Sequence, residues 1–282
     1  MNTLKTFFLL ILLTGVLLVV GAMFGGELGI VMALGFALML NVGAYWFSDR
    51  IALGMTHARP VTEQDDPELY SLVAEQASLA GLPMPKVYEI QSDSSNAFAT
   101  GRNPQHASVA VTSGIRRLLT REELGAVMAH EMAHVGNRDT LIMSIVATIA
   151  GAISMLAMLA QFAAFFGGMG GERGRGGNII GLLIVAIVMP IAATLIRLAI
   201  SRAREFQADI TGAKTSGNPY ALASALEKLA MGAEARPMKV AEAASHLFIV
   251  NPLSGKAMAR LFSTHPPVEE RARRLRNMGP NY

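Results

Sequence analysis

The stretch His130-Glu131-Met132-Ala133-His134 decides the fold class of this chain. On a helix, two histidines four positions apart lie one turn apart on the same face. Both imidazoles can then bind one Zn²⁺ ion, and the glutamate between them can act as general base on a water activated by the metal. The alternative is a polar helix face whose histidines have this spacing by chance. Because the chain has only 6 histidines in 282 residues, chance is the weaker explanation.

A third ligand is needed, because a catalytic zinc site normally has three protein ligands and one open position. Glu205 and Asp209, at the end of the segment Ser201–Asp209, are four positions apart and share one helix face. We predict that Glu205 completes the metal site. We also predict that Asp209 accepts the free ring N–H of a ligating histidine and fixes its tautomer. The alternative for Glu205 is a solvated ion pair with Arg202 or Arg204.

The composition is that of a membrane protein. Hydrophobic residues make up 52% of the chain and charged residues only 16%, whereas charged residues account for about 25% of an average soluble protein. The chain has no cysteine, so histidines and carboxylates must hold any zinc ion. The formal net charge of +3 is too small to indicate a nucleic-acid partner.

Four apolar runs without a charged residue are long enough to cross a bilayer, which takes about 20 residues of helix. They pair into two hairpins, one at each side of the HExxH segment. Cleavage of the first run as a signal peptide, and burial of the last two as core helices, are the alternatives. The runs are Phe7–Phe24, Leu28–Phe47, Thr140–Phe166 and Ile179–Ile196.

The distribution of basic residues predicts the orientation of the chain. If both hairpins cross the membrane and return, 22 of the 24 lysines and arginines lie on one side. Only Arg173 and Arg175 fall in a turn on the other side. Because basic residues concentrate in cytoplasmic segments, we expect both termini and both polar segments to face the cytoplasm.

These boundaries divide the chain into four parts. Residues 1–48 form the first hairpin and residues 140–198 the second. Residues 49–139 read as α+β, with strands predicted at Lys86–Ile90, Asn96–Ala99 and Ala107–Thr112. Residues 199–282 read as helical. The two polar parts are expected to form one protease domain, because the metal ligands are split between them.

The motifs together resemble the HtpX family of bacterial inner-membrane zinc metalloproteases, which is related to the CAAX prenyl proteases. The resemblance covers essentially the whole chain. It is carried by Asn96–Gly101, the HExxH stretch, Ser201–Asp209 and Thr264–Pro267. The implied fold is a mainly α integral membrane protein. It has four transmembrane helices in two hairpins and a cytoplasmic α+β zincin domain of the gluzincin type, built from two chain segments.

The resemblance implies roles for individual residues. His130, His134 and Glu205 would bind one Zn²⁺ per chain, and Glu131 would be the catalytic base. His265 and Arg271 match residues that lie near the developing oxyanion in the family. An edge strand commonly aligns the substrate backbone in zincins, so we expect substrate binding at the strand formed by Asn96, Ala97, Phe98 and Ala99.

The expected function is therefore zinc-dependent hydrolysis of peptide bonds in misfolded or damaged membrane proteins, as part of quality control and the stress response. The expected partners are protein substrates and the lipid bilayer, with the number of subunits left open by the sequence. The alternative is a non-catalytic, zinc-stabilised membrane scaffold. A scaffold has no need of Glu131, because that residue is not a zinc ligand. A signal-cleaved soluble protease is a second alternative, which solubility without detergent would distinguish. A transporter fits less well, since the spans contain no charge to mark an ion path.

Overall fold

The computed structural model describes residues 2–149, 202–238, 240, 242–252 and 266–279. Helices dominate, and one small sheet precedes the helix that carries the HExxH stretch. Short 3₁₀ turns occupy Pro104–His106 and Glu242–Leu247. The elements in chain order are α1 (Asn2–Met55), β1 (Arg59–Val61), α2 (Pro67–Leu79), β2 (Lys86–Ile90), β3 (Ala97–Gly101), β4 (Ala107–Thr112), α3 (Ser113–Leu118), α4 (Arg121–Gly136), α5 (Asp139–Ile149), α6 (Arg202–Ser216), α7 (Pro219–Ala235) and α8 (Val268–Arg276).

Helix α1 contains the first two predicted spans and is broken between them. Gly26 has φ of 55° and ψ of −137°, which is outside the helical region. The two arms lie side by side: the Asn41 side-chain amide donates to Thr14 Oγ1 at 2.9 Å, and a Cβ on Gly21 would lie 2.4 Å from the carbonyl oxygen of Gly29. Among the described residues, Gly25–Met55 is the helical segment long and apolar enough to cross a membrane.

The four-stranded sheet has the order β1-β2-β4-β3. Strand β4 pairs in parallel with β2 and antiparallel with β3, so β3 lies at one edge. All residues of β3 and β4 are buried. The three strands predicted from the sequence are present, although the edge strand begins and ends later than Asn96–Ala99.

Helix α4 is the central element of the protease unit. Its N-terminus has a full capping box, in which the Thr120 hydroxyl accepts from the Glu123 N–H and the Glu123 carboxylate accepts from the Thr120 N–H. Glu123 also binds Ser224 and Lys228 of α7 at 2.6 and 2.8 Å. Helix α4 is buried along nearly its whole length because α2, β3, α6 and α7 pack around it.

The second predicted hairpin falls largely outside the described residues. The structure describes only Asp139–Ile149, the start of the third apolar run, as a short apolar helix. The number of membrane crossings and the four-part division of the chain therefore stay predictions from the sequence.

Candidate metal centre

The close approach of α6 to α4 creates the site. Gly212 lies against the backbone of His130, where a Cβ would be 2.7 Å from the His130 Cα atom. A side chain at this position would force the helices apart. The same face of α6 carries Glu205 and Asp209, both buried. The spacing of these residues along α6 thus places two carboxylates beside the HExxH histidines.

His130, His134 and Glu205 bring three ligand atoms together. The Glu205 carboxylate oxygens lie 4.0 Å from His130 Nε2 and 3.6 Å from His134 Nε2. One ligand atom from each residue lies within 4.8 Å of the other two, and all three residues are buried. Metal–ligand bonds of about 2.0–2.2 Å in a tetrahedral zinc site separate the ligand atoms by about 3.4 Å. The group is therefore close to the geometry that a metal ion requires.

His130 is held by a carboxylate and an arginine. Asp209 Oδ1 lies 3.0 Å from His130 Nδ1. Arg271 donates two hydrogen bonds to this carboxylate, from Nε at 2.8 Å and from a terminal nitrogen at 2.7 Å. The Arg271 side chain is fully buried and also donates to the carbonyl of Ile249 at 3.1 Å. These contacts fix the His130 ring through Nδ1, the nitrogen on the side away from Glu205.

His134 has a second carboxylate, Asp139, which the sequence reasoning missed. Asp139 Oδ2 lies 3.1 Å from His134 Nδ1, and Asp139 Oδ1 lies 3.7 Å from the Arg204 guanidinium. The two histidines are therefore each backed by an aspartate and an arginine. The signal available in the sequence was an aspartate five residues after the second histidine, at the start of the next helix.

Glu131 lies between the site and the edge strand. It is 2% exposed, and the backbone N–H of Ala99 lies close enough to its carboxylate to favour the charged form. Burial raises the pKa of Glu131 to about 7; the Glu205 carboxylate acts in the same direction, while His134 and the Ala99 N–H oppose the shift. The candidate base therefore lies near β3.

The histidines differ in their electrostatic surroundings. Burial holds the pKa of His130 below its usual value. Burial also lowers the pKa of His134, but Asp139, Glu205 and Glu131 outweigh it and raise that pKa to about 9. The second histidine thus lies in an excess of negative charge. Such surroundings favour a cation.

The edge strand is partly covered by the chain itself. The Asn96 side chain donates to the Val250 carbonyl at 2.7 Å and accepts from the Val250 N–H at 3.3 Å. The Ile249 N–H donates to the Ala97 carbonyl at 3.0 Å. Phe98 packs edge-on against Phe248 at 5.1 Å between ring centroids. The Asn96 side chain and the Ala97 carbonyl are therefore already bound to the segment 248–250.

Two further predicted site residues have different outcomes. Arg271 lies beside the metal group, and its guanidinium is 3.6 Å from Glu205 and 3.5 Å from His130 Nε2. Its pKa is raised by the carboxylates of Asp209, Glu205 and Glu131, although burial opposes the shift. His265 lies outside the described residues, so its predicted role near the oxyanion stays a prediction.

Comparison with known proteins gives the family. The model of peptidase family M48 matches residues 63–279, a range that contains both halves of the metal group. The chain belongs to peptidase family M48. It is therefore a metallopeptidase, and the HtpX resemblance seen in the motifs is confirmed.

Relatives match the M48 chain over almost its full length. Two proteins called "Protease HtpX homolog" are from Syntrophobacter fumaroxidans and Syntrophotalea carbinolica. The first is 53% identical, and the match covers 97% of this chain and 98% of the relative. The second is 54% identical, and the match covers 99% of this chain and 99% of the relative. A relative of the same name from Pyrococcus furiosus is 49% identical over 97% of this chain and 95% of its own length.

A solved structure shows a related fold. The crystal structure of S. mikatae Ste24p matches with a TM-score of 0.50 and 19% identity. The match covers 97% of this M48 chain, which spans 65% of the length of Ste24p. This likeness shows that the chain shares a fold with Ste24p.

Proposed function

We propose that the protein is a zinc-dependent, membrane-bound endopeptidase that hydrolyses peptide bonds of misfolded or damaged membrane proteins. One observation carries the proposal. His130, His134 and Glu205 converge within 4.8 Å, and the buried residue Glu131 lies between the two histidines on α4. This is the donor set and base of a zinc peptidase.

The donor chemistry favours zinc among the divalent ions. Two imidazoles and one carboxylate suit Zn²⁺, and they leave a coordination position open for a reacting group. We infer one ion per chain, held by His130, His134 and Glu205. A zinc ion in such a site supplies Lewis acidity to the scissile carbonyl and activates water.

The protein residues supply positioning and proton transfer. Glu131 takes a proton from the attacking water and returns it to the leaving amine. Asp209 and Asp139 hold the ligand histidines in one tautomer and one orientation. Arg271 was expected near the oxyanion. Because its donors already bind Asp209 and Ile249, we assign it to positioning of His130.

The edge strand is proposed to bind an extended substrate segment. Ala99 is the residue of β3 whose backbone N–H lowers the pKa of the candidate base Glu131, so it lies near the proposed chemistry. Asn96 and Ala97 are bound to residues 249 and 250. We therefore assign substrate alignment to the Ala99 end of the strand, and assign Asn96 to holding the covering segment.

We place the protein in the bacterial inner membrane as a multi-pass protein, with the active site and both termini in the cytoplasm. The Gly25–Met55 helix and the distribution of basic residues support this orientation. Helix α5 starts only five residues after His134, so the metal group lies close to the membrane-proximal part of the chain. Substrates that emerge from the bilayer would meet the site there.

The experiment that tests this function is cleavage of casein, a loosely folded substrate, by the detergent-purified full chain. The metal is first removed with a chelator and then replaced with Zn²⁺, Mn²⁺ or Co²⁺. We expect no cleavage without metal and recovery at one Zn²⁺ per chain. Stoichiometric zinc without cleavage of casein or of a membrane-protein substrate would instead support the scaffold alternative.

A further inference from the structure

Two aromatic and two basic residues form a cluster near the end of α1. Trp46 and Phe47 are 52% and 48% exposed. The Arg102 guanidinium carbon lies 4.7 Å from the Trp46 ring centroid, and that of Arg50 lies 5.7 Å from the Phe47 ring centroid. We call these four residues the interface collar. Arg102 comes from the β3–β4 connection, so two separate chain segments build it.

The collar is placed where a bilayer surface is expected. The apolar helix Gly25–Met55 changes character at this point, since Asp49 and Arg50 follow an almost uncharged stretch. Tryptophan and other aromatic side chains concentrate at the level of the lipid headgroups. Along the helix, the exposed aromatic rings come first and the arginine follows. In a phospholipid, the glycerol region likewise comes before the phosphate, so the rings would lie beside the glycerol and the arginine beside the phosphate.

Among the described residues, the arginines of the collar pair with no carboxylate. Within the described residues, neither Arg50 nor Arg102 forms an ion pair. This differs from exposed arginines elsewhere on the surface, such as Arg121 with Glu75 and Arg276 with Glu227. A guanidinium binds phosphate oxygens through paired N–H donors. The collar therefore combines apolar rings with unneutralised phosphate-binding groups.

We propose that the interface collar binds the phosphate of an anionic phospholipid. The aromatic rings contact the glycerol and upper acyl region, and Arg50 and Arg102 contact the phosphate. The proposal goes beyond the peptidase function and rests only on the membrane placement of α1. Zwitterionic lipids carry a compensating choline or ethanolamine cation, so the arginines favour lipids with net negative charge.

Binding at the collar would also fix the edge strand relative to the membrane. Arg102 directly follows Gly101, the last residue of β3. The carbonyl of Gly101 accepts from Thr140 Oγ1 at 2.9 Å, which ties the strand to the start of α5. A lipid held by Arg102 therefore anchors the end of the strand that we propose aligns substrate. This anchoring would keep the strand at the bilayer surface.

The single tryptophan of the chain makes the proposal directly measurable, because Trp46 is the one Trp in the sequence. The full chain is reconstituted in bilayers that contain equal amounts of phosphatidylglycerol and phosphatidylcholine. Bromine atoms, which quench tryptophan fluorescence on contact, are placed on one lipid or on the other. We expect brominated phosphatidylglycerol to quench Trp46 several-fold more strongly, since each arginine near the headgroups contributes about a five-fold preference for anionic lipid.

Variants and a soluble ligand separate the causes. In the double variant Arg50→Gln, Arg102→Gln, the two brominated lipids should quench Trp46 equally. In Arg121→Gln, brominated phosphatidylglycerol should still quench Trp46 more strongly. Free glycerol phosphate should neither quench Trp46 nor reduce the preference at millimolar concentration, which excludes a site for free phosphate. Equal quenching in the unaltered protein, or a preference that survives the double variant, would overturn the proposal. Quenching by neither lipid would overturn it together with the membrane placement of α1, whereas a failure of proteolysis alone would leave it standing.

Discussion

His134 and Asp139 face one another across the turn between α4 and α5, with Nδ1 and Oδ2 3.1 Å apart. Asp139 is 1% exposed and also lies near Arg204, at the start of α6. Asp139 precedes the second predicted hairpin in the sequence, and Arg204 follows it. The orientation of one proposed metal ligand thus depends on the two chain segments that flank this hairpin.

Asp139→Asn should weaken metal binding. An amide cannot hold the His134 ring N–H as a carboxylate does, so we expect the affinity for Zn²⁺ to fall by about 10- to 100-fold. Competition with a fluorescent chelator measures the affinity directly. The control is Asp93→Asn, which removes an exposed carboxylate paired with Arg117 and should leave the affinity unchanged. An unaltered affinity in Asp139→Asn would show that His134 does not need this partner.

Arg271→Gln should destabilise the fold. The substitution leaves the Asp209 carboxylate buried without its cation, and breaking such a buried pair costs about 3 to 5 kcal/mol. Thermal or denaturant unfolding in detergent gives the change in the free energy of unfolding. Arg274→Gln is the control, because Arg274 is exposed, pairs with Glu270 and stacks on Phe206; we expect a loss below about 1 kcal/mol there.

The same variant distinguishes the two roles considered for Arg271. A positioning role predicts that metal affinity and stability fall along with activity. If Arg271→Gln kept both the metal affinity and the stability of the unaltered protein but lost cleavage, the oxyanion role would be correct and the positioning role wrong.

Gly212→Ala should disturb the metal group through the backbone. Its Cβ would lie 2.7 Å from His130 Cα and 2.8 Å from His130 N, and neither atom can move alone. We expect a loss of about 1 to 3 kcal/mol in stability, as for overpacking of a core, together with weaker zinc binding. Gly54→Ala has no atom within 4 Å of the new Cβ and serves as control. Equal behaviour of the two variants would mean that α6 is free to shift away from α4.

Glu123 should make stability depend on pH. Burial raises its pKa, but the hydrogen bonds from Lys228, Ser224 and the Thr120 N–H outweigh burial and lower the pKa below its ordinary value in the folded protein. The carboxylate therefore stabilises the fold above its unfolded pKa, and this contribution disappears as the pH falls through the folded pKa. We expect Glu123→Gln to cost about 1 to 2 kcal/mol at pH 7 and much less near pH 3.

The neighbouring residue provides the comparison for this prediction. Glu122 is exposed and occupies the same first turn of α4. Glu122→Gln should change stability little at either pH. A Glu123→Gln effect that is the same at pH 7 and pH 3 would show that the charge of Glu123 does not contribute to stability.

The membrane orientation can be read from single cysteines, because the chain has none of its own. Glu27→Cys lies in the turn of the first hairpin and Ser71→Cys lies on α2, and both positions are exposed. A membrane-impermeant maleimide added to intact spheroplasts should label Glu27→Cys and not Ser71→Cys. Permeabilised cells should show labelling of both. The reverse pattern in intact spheroplasts would place the metal group outside the cytoplasm.

Local signals in the sequence predicted the residues of the candidate metal group, the strands and the helix caps. The i, i+4 spacing of His130 and His134, and that of Glu205 and Asp209, depends only on helix periodicity. The Asp66-Pro67 start of α2 and the capping box of α4 are read within four residues. Family membership and the metallopeptidase class followed from these motifs, because they contain the whole candidate metal group.

Beyond the approach of Glu205 and Asp209 to the histidines, contacts between distant segments were not predicted. The pairing of Arg271 with Asp209, 62 residues earlier in the chain, was not predicted. The segment that covers Asn96 and Ala97 comes from residues 249 and 250. Single-sequence patterns report helix faces and turns, but not which buried arginine meets which carboxylate. Asp139 was missed for a related reason, since an aspartate at a helix start is most often a cap.

The central claim is that Glu131 performs the chemistry at a metal ion that it does not bind. The most direct measurement compares zinc content and casein cleavage in the unaltered protein, in Glu131→Gln and in Glu122→Gln. We predict one Zn²⁺ per chain in all three proteins, with cleavage lost only in Glu131→Gln. Cleavage by Glu131→Gln at the rate of the unaltered protein would contradict the account.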